Sequence, residues 1–94
     1  MPRYLVERAW SLQEEEMAAK GPLSKQVLTE NPQFSPVTWE HSHVVMDEEG
    51  QLKSFCVYSS PNTELIREHS VLLGDHTIQG IYEIGGDISP ADFD

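Results

Sequence analysis

The chain has 94 residues, one cysteine and a formal net charge of −10, from 16 acidic and 6 basic side chains. This length predicts one domain, and so acidic a surface repels phosphate backbones, which disfavours nucleic-acid binding. No apolar run approaches membrane-spanning length, and the N-terminus has no apolar signal segment, so we expect no membrane partner. A lone cysteine excludes an internal disulfide framework. Together these features predict a cytoplasmic protein.

The chain begins with a predicted strand from Arg3 to Trp10. Tyr4 and Val6 lie on one of its faces, and Leu5 and Glu7 lie on the other. Apolar residues on both faces suit a central strand. Glu7 is then a carboxylate within that strand or at its end.

A helical region is predicted between Leu12 and Glu30. Ser11, with Glu14 three residues later, is typical of a capping box that starts a helix. Gly21-Pro22 interrupts the helical pattern, which predicts either one kinked helix or two short ones. The prolines of the next segment, Asn31 to Pro36, predict a loop.

A β-hairpin from Val37 to Pro61 carries most of the side chains that can do chemistry. Its strands are predicted from Val37 to Met46 and from Ser54 to Ser60, joined by a charged turn. Alternation places His41 and His43 on one face of the first strand, where two imidazoles can converge on one ion.

The residues opposite Cys56 depend on the hairpin register. A symmetric closure of the loop places His43 opposite Cys56 and His41 opposite Tyr58. A slip of one residue places Cys56 beside Val44 and Ser42 instead. We expect the symmetric closure, which gathers five side chains on one open face: Trp39, His41, His43, Cys56 and Tyr58. The face left for the helices then carries Phe55, Val57 and Val44.

A helix and a strand complete the pattern. Ser60-Pro61 predicts a helix start, and Gly74 predicts its end. His69 falls on or beside the apolar stripe of this helix, where a histidine is more often a hydrogen-bonded core residue than a ligand. Thr77 to Ile84 is the last predicted strand.

The element order β-α-β-β-α-β predicts an α+β protein with the ferredoxin-like sandwich, a four-stranded antiparallel sheet with its helices on one face. We expect residues 1–86 to form this single domain and residues 87–94 to form an acidic tail. Trp39 and Tyr58 on an open face leave a large apolar surface, so we predict a homodimer.

Four blocks of the sequence together carry a family resemblance: Met1 to Arg8, Thr38 to Ser42, Phe55 to Tyr58, and Pro61-Asn62 with Glu64 and Ile66 to His69. They resemble a small bacterial ferredoxin-like family of largely unknown function, one member of which is described as a nickel-binding protein. The resemblance implies a dimeric α/β sandwich and a bound nickel ion. The positions of chemical interest that match are Glu7, His41, Cys56, Arg67 and His69.

The chain also departs from this family's pattern. His43 stands where the family usually has tyrosine, and Gly21-Pro22 interrupts a helix that is normally continuous. The hairpin loop is longer, and the acidic tail lies outside the pattern.

Imidazole nitrogen with carboxylate oxygen suits Ni²⁺, and also Cu²⁺ and Zn²⁺. We therefore predict a small metal-binding protein of the nickel type, in which another divalent transition metal can take the place of Ni²⁺. The predicted ligands are His41, His43, Glu7 and Cys56. Three further residues are predicted to support this site or to form an alternative one: Tyr58, His69 and Arg67.

The sequence is also compatible with two other functions. Related ferredoxin-like dimers enclose a ligand pocket between sheet and helices, where histidine or tyrosine handles protons without a cofactor. A dimeric enzyme of this isomerase or monooxygenase-like kind would bind a small-molecule ligand and use Glu7, His41 and Tyr58 as an acid–base set. The other alternative is a purely structural or interaction module.

Overall fold

The computed structural model describes residues 1–93, which form a four-stranded antiparallel sheet and three α-helices. The strands are β1 (Arg3–Trp10), β2 (Thr38–Met46), β3 (Leu52–Ser59) and β4 (His76–Glu83), and the helices are α1 (Glu14–Met17), α2 (Lys20–Glu30) and α3 (Thr63–Leu73). Two short 3-10 helices span Pro32–Phe34 and Pro90–Phe93. The strands lie in the order β2-β3-β1-β4. The predicted α+β class and four-stranded antiparallel sheet are confirmed.

Helices α2 and α3 pack on the same face of the sheet, here called the covered face. Tyr4 and Val6 of β1 lie in one apolar cluster with Ile66 of α3 and Leu28 of α2. A second cluster joins Trp10 of β1 to Leu73 of α3 and to Leu12, Met17 and Leu23. The opposite face, here called the open face, has no helix from the described part of the chain against it.

The first helical region consists of two helices, one of the two predicted forms, but the break lies at Ala18-Ala19. The predicted interruption at Gly21-Pro22 is wrong, because both residues lie within α2. Gln13 is the N-cap of helix α1, and its backbone N–H donates to Glu16 Oε1 at 3.1 Å. Ser11 is therefore not the cap, and that prediction is wrong. Its hydroxyl donates instead to the Asp75 carbonyl at 2.9 Å. Pro22 lies in the first turn of α2, where a missing N–H breaks no helical hydrogen bond.

Helix α3 begins two residues later than predicted. Asn62 is its cap, and the Asn62 side chain accepts from the Leu65 N–H at 3.0 Å. The Ser60 hydroxyl donates to the Asn62 carbonyl at 2.7 Å and so fixes the chain that leads into the helix. Gly74 ends the helix with a φ of 69°, a conformation that favours glycine.

The β2–β3 hairpin has a different register from the one expected. Ser42 pairs with Cys56, and His43 pairs with Phe55, so the symmetric closure is wrong by one residue. The cause lies in the turn. The Asp47 carboxylate accepts from the backbone N–H of Glu49 at 2.9 Å and of Gln51 at 2.8 Å, which closes an odd-numbered loop. Residue 50 is a glycine with a φ of 84°.

A second irregularity lies further along the same strand pair. The register shifts between Trp39 and His41, so that Trp39 pairs with Tyr58 while His41 pairs with Val57. Glu40 is the extra residue of this β-bulge. The bulge keeps Trp39 on the covered face although His41 lies on the open one.

The register decides which side chains share a face. His41 and His43 lie on the open face, whereas Trp39, Cys56 and Tyr58 lie on the covered face. The predicted gathering of all five on one open face is therefore wrong. Tyr58 is only 2% exposed beneath the helices, so it does not contribute the apolar surface on the open face from which the homodimer was predicted.

Candidate functional site

The open face presents two neighbouring imidazoles near one edge of the sheet. The ring centroids of His41 and His43 are 5.5 Å apart, with an angle of 79° between the ring planes. Both side chains are exposed. Within residues 1–93, neither ring has a hydrogen-bond partner among the protein groups. Both rings are therefore available to a ligand.

A carboxylate lies beside this pair because of the β-bulge. Glu40 receives two hydrogen bonds from Arg3, Nε to Oε2 at 2.9 Å and Nη2 to Oε1 at 3.0 Å. The Ser59 hydroxyl donates to Oε2 at 3.0 Å. The hydrogen bonds from the Arg3 guanidinium are the main reason that the pKa of Glu40 lies below its usual value. A positive charge on His41 would lower the pKa of Glu40 further. Glu40 therefore adds negative charge near His41, but its oxygens are already engaged.

Glu7 occupies the middle of the open face. Lys53 Nζ lies 3.2 Å from Glu7 Oε2, and the Tyr82 hydroxyl donates to Oε1 at 3.2 Å. Phe55 pairs with Glu7 on one side and with His43 on the other. Glu7 and His43 are thus separated by two strand spacings, about 10 Å. Within one chain this carboxylate does not reach the histidines.

The other predicted site residues lie elsewhere. Cys56 is buried on the covered face, with Sγ 3.6 Å from the Ser54 hydroxyl. Arg67 is exposed on α3. His69 is 1% exposed, and its Nε2 is hydrogen-bonded to the Ser24 hydroxyl at 3.0 Å. The burial of His69 lowers its pKa to about 4.

These positions break up the predicted sets of residues. The sheet separates Cys56 from His41, His43 and Glu7, so a single chain cannot bring the four together. It also separates Tyr58 from Glu7 and His41, so the proposed acid–base set does not form. Among the described residues, no three histidine, cysteine or acidic side chains converge in a way that would hold a metal ion.

A polar cluster on the covered face was missed in the sequence. Arg8 has 0% exposure. Its Nη1 donates to the Tyr58 hydroxyl at 3.1 Å, its Nη2 to the Ser70 hydroxyl at 2.9 Å, and its Nε to His76 Nε2 at 3.1 Å. Strand alternation could have located Arg8, because it places Arg8 on the same face as Tyr4, Val6 and Trp10. We call Arg8, Tyr58, Ser70 and His76 the Arg8 cluster.

The relationship of this chain to known proteins supports the resemblance seen in the sequence. The model of the family described as nickel responsive protein SCO4226-like matches residues 4–84. The chain belongs to this family. No curated protein matches it. None of the described helices is long and apolar enough to cross a membrane.

The family's description therefore refers to nickel. The open face supplies some of the donor atoms that a nickel ion would need. Two imidazoles at 5.5 Å are the nitrogen donors that Ni²⁺ and its neighbours favour. A third and fourth protein donor are not supplied by the described part of the same chain.

Proposed function

We propose that the protein binds a divalent transition metal, nickel in the first place, through His41 and His43 on the open face. The observation that carries this proposal is the pair of exposed imidazoles, 5.5 Å apart and without protein partners, in a chain of the nickel responsive family. Alternate residues of a strand are about 7 Å apart at their backbones, a span across which two imidazoles can reach one ion.

The rest of the coordination shell comes from a second copy of the chain or from water. The chain belongs to a closed homodimer in this proposal, with the open faces in contact, so that each copy presents the same surface to the other. The open face offers apolar area for such a contact at Val45, which is 36% exposed, and Tyr82, which is 51% exposed. The Glu7 carboxylate of the second copy is then a candidate oxygen donor.

We also propose that the chain has the ferredoxin-like topology. The element order β-α-β-β-α-β with sheet order β2-β3-β1-β4 fits a ferredoxin-like sandwich, whose open face is free for assembly. A reducing cytoplasmic setting agrees with the single free, buried Cys56.

The test is a calorimetric nickel titration of untagged protein at about pH 7.5, where most histidines are neutral and able to bind metal. We expect His41→Ala and His43→Ala each to weaken nickel binding about tenfold or more, because each removes one nitrogen donor. Glu68→Gln is the matched control, since it removes an exposed negative charge on α3, away from the site. Nickel affinity equal to that of the wild type in both histidine variants would contradict the proposal.

A further inference from the structure

A cleft of about 170 Å³ lies on the covered face, between the edge strand β2 and the helices α1 and α2. The surface of its walls that solvent can reach is mainly apolar. Met17 and Trp39 line the cleft and are only partly buried, and Val44, which also lines it, is 53% exposed. These three side chains therefore present apolar surface that a second molecule can contact.

The polar side chains around this cleft already bind one another. The indole N–H of Trp10 donates to Ser54 Oγ at 2.9 Å, and that of Trp39 donates to Ser42 Oγ at 2.8 Å. Within residues 1–93, no buried side-chain nitrogen or oxygen lacks a hydrogen-bond partner. A ligand with polar groups would therefore lose their hydration in the cleft and find few partners to replace it.

The two positive charges near the cleft are also withdrawn from it. Arg8 is 0% exposed, so its guanidinium offers no surface to a ligand. Lys20 Nζ donates to the Leu73 carbonyl at 2.6 Å and to the Asp75 carboxylate at 2.8 Å. A charged ligand would thus have to leave water without an opposite charge to receive it, which is costly.

We propose that this cleft binds a small neutral aromatic molecule, of the size of benzene or toluene, against Met17, Trp39 and Val44. An apolar cavity of about 150 Å³ is large enough to hold benzene. Aromatic rings pack favourably against a tryptophan ring and against the sulfur of methionine. The cleft lies on the other side of the sheet from His41 and His43, so this site is independent of the nickel proposal.

The experiment compares toluene with benzoate and benzylamine, which carry the same ring with a negative and a positive charge, at constant ionic strength. Both tryptophans of the chain line the cleft, so their indole N–H signals in an NMR titration of the full chain report on it. We expect toluene to shift both signals at millimolar concentration. Each charged compound should bind at least about tenfold more weakly, because its charge must leave water. The acidic surface attracts benzylamine and repels benzoate, so weak binding of both shows that the cleft itself selects the neutral ring.

A variant tests where toluene binds. Val44→Asp places a carboxylate on the exposed wall of the cleft, so we expect toluene to bind at least about tenfold more weakly, with nickel affinity unchanged. Val71→Asp is the matched control, because Val71 is 79% exposed on α3 and does not line the cleft, and it should bind toluene like the wild type. Circular dichroism checks that both variants are folded. The proposal is overturned if the wild type binds toluene no better than benzoate or benzylamine, or if folded Val44→Asp binds toluene with wild-type affinity.

Discussion

Ser42 lies directly opposite Cys56 in the β2–β3 hairpin. Side chains that pair across antiparallel strands point to the same face of the sheet. Cys56 therefore faces the helices, and the imidazoles of His41 and His43 face the other way. The sheet separates the only thiol of the protein from the two exposed imidazoles, so a metal held by these histidines has no thiolate ligand from the same chain.

The first prediction follows from this separation. Cys56→Ala should leave nickel affinity within about twofold of wild type, while the loss of a buried sulfur should lower the free energy of unfolding by about 1 kcal/mol. Titration calorimetry measures the affinity, and urea unfolding measures the stability. A sulfur-to-nickel absorption band in the wild type, lost in this variant, would show that the thiol does bind the metal.

The second prediction concerns the stability of the protein in acid. Burial lowers the pKa of His69 in the folded protein to about 4, against 6.5 for an ordinary histidine. Between these pH values the unfolded chain binds a proton that the folded protein does not, so the free energy of unfolding falls as the pH drops from about 6.5 to about 4. The loss from this one group amounts to up to about 3 kcal/mol.

Urea unfolding at a series of pH values measures this slope. His69→Gln does not titrate and can keep a hydrogen bond to Ser24, so its stability should fall less steeply over the same window. His76, whose pKa is also lowered, should account for part of the slope that remains. An unchanged slope in His69→Gln would show that His69 is not the group responsible.

The third prediction concerns the packing of Tyr82 over Gly80 on the open face. A Cβ at position 80 would overlap the Tyr82 ring, whose hydroxyl donates to Glu7. The far end of this exposed side chain can move away, so Gly80→Ala should cost less than about 1 kcal/mol while breaking the bond to Glu7. Tyr82→Phe removes the same hydrogen bond to Glu7, so urea unfolding should show a similar small loss of stability in that variant. In a Tyr82→Ala background, Gly80→Ala should have no such cost, and a cost that persisted there would place the clash elsewhere.

The fourth prediction concerns assembly through the open face. Val45→Glu places a charge next to His43 on that face and should shift the protein from dimer to monomer in light scattering at tens of micromolar. Val71→Glu is the matched control, because Val71 is 79% exposed on α3, and it should remain a dimer. A wild-type protein with the mass of a monomer would exclude the dimer at that concentration.

Local patterns in the sequence predicted much of the fold. The bounds of β1 follow from its alternation, and the shared face of His41 and His43 follows from their spacing of two residues within a strand. The end of α3 at Gly74 follows from the backbone freedom of glycine. Each of these features depends on residues that are close together in the chain.

The features that were not predicted depend on contacts between distant segments or on single turn geometries. The hairpin register is set by the Asp47 carboxylate in the turn and by the bulge at Glu40, which alternation alone does not reveal. Arg8 was missed because arginine is usually exposed. Its burial depends on acceptors that β3, α3 and β4 bring together, among them Tyr58 and Ser70.

The most direct test of the nickel proposal is a titration of Ni²⁺ into the His41→Ala/His43→Ala double variant, beside the wild type, in untagged protein. The two substitutions lie on an exposed strand face, so the variant should keep the wild-type fold, which circular dichroism can check. The proposal predicts specific nickel binding in the wild type and a loss of at least about a hundredfold in affinity in the double variant. Wild-type nickel affinity in the folded double variant would contradict it.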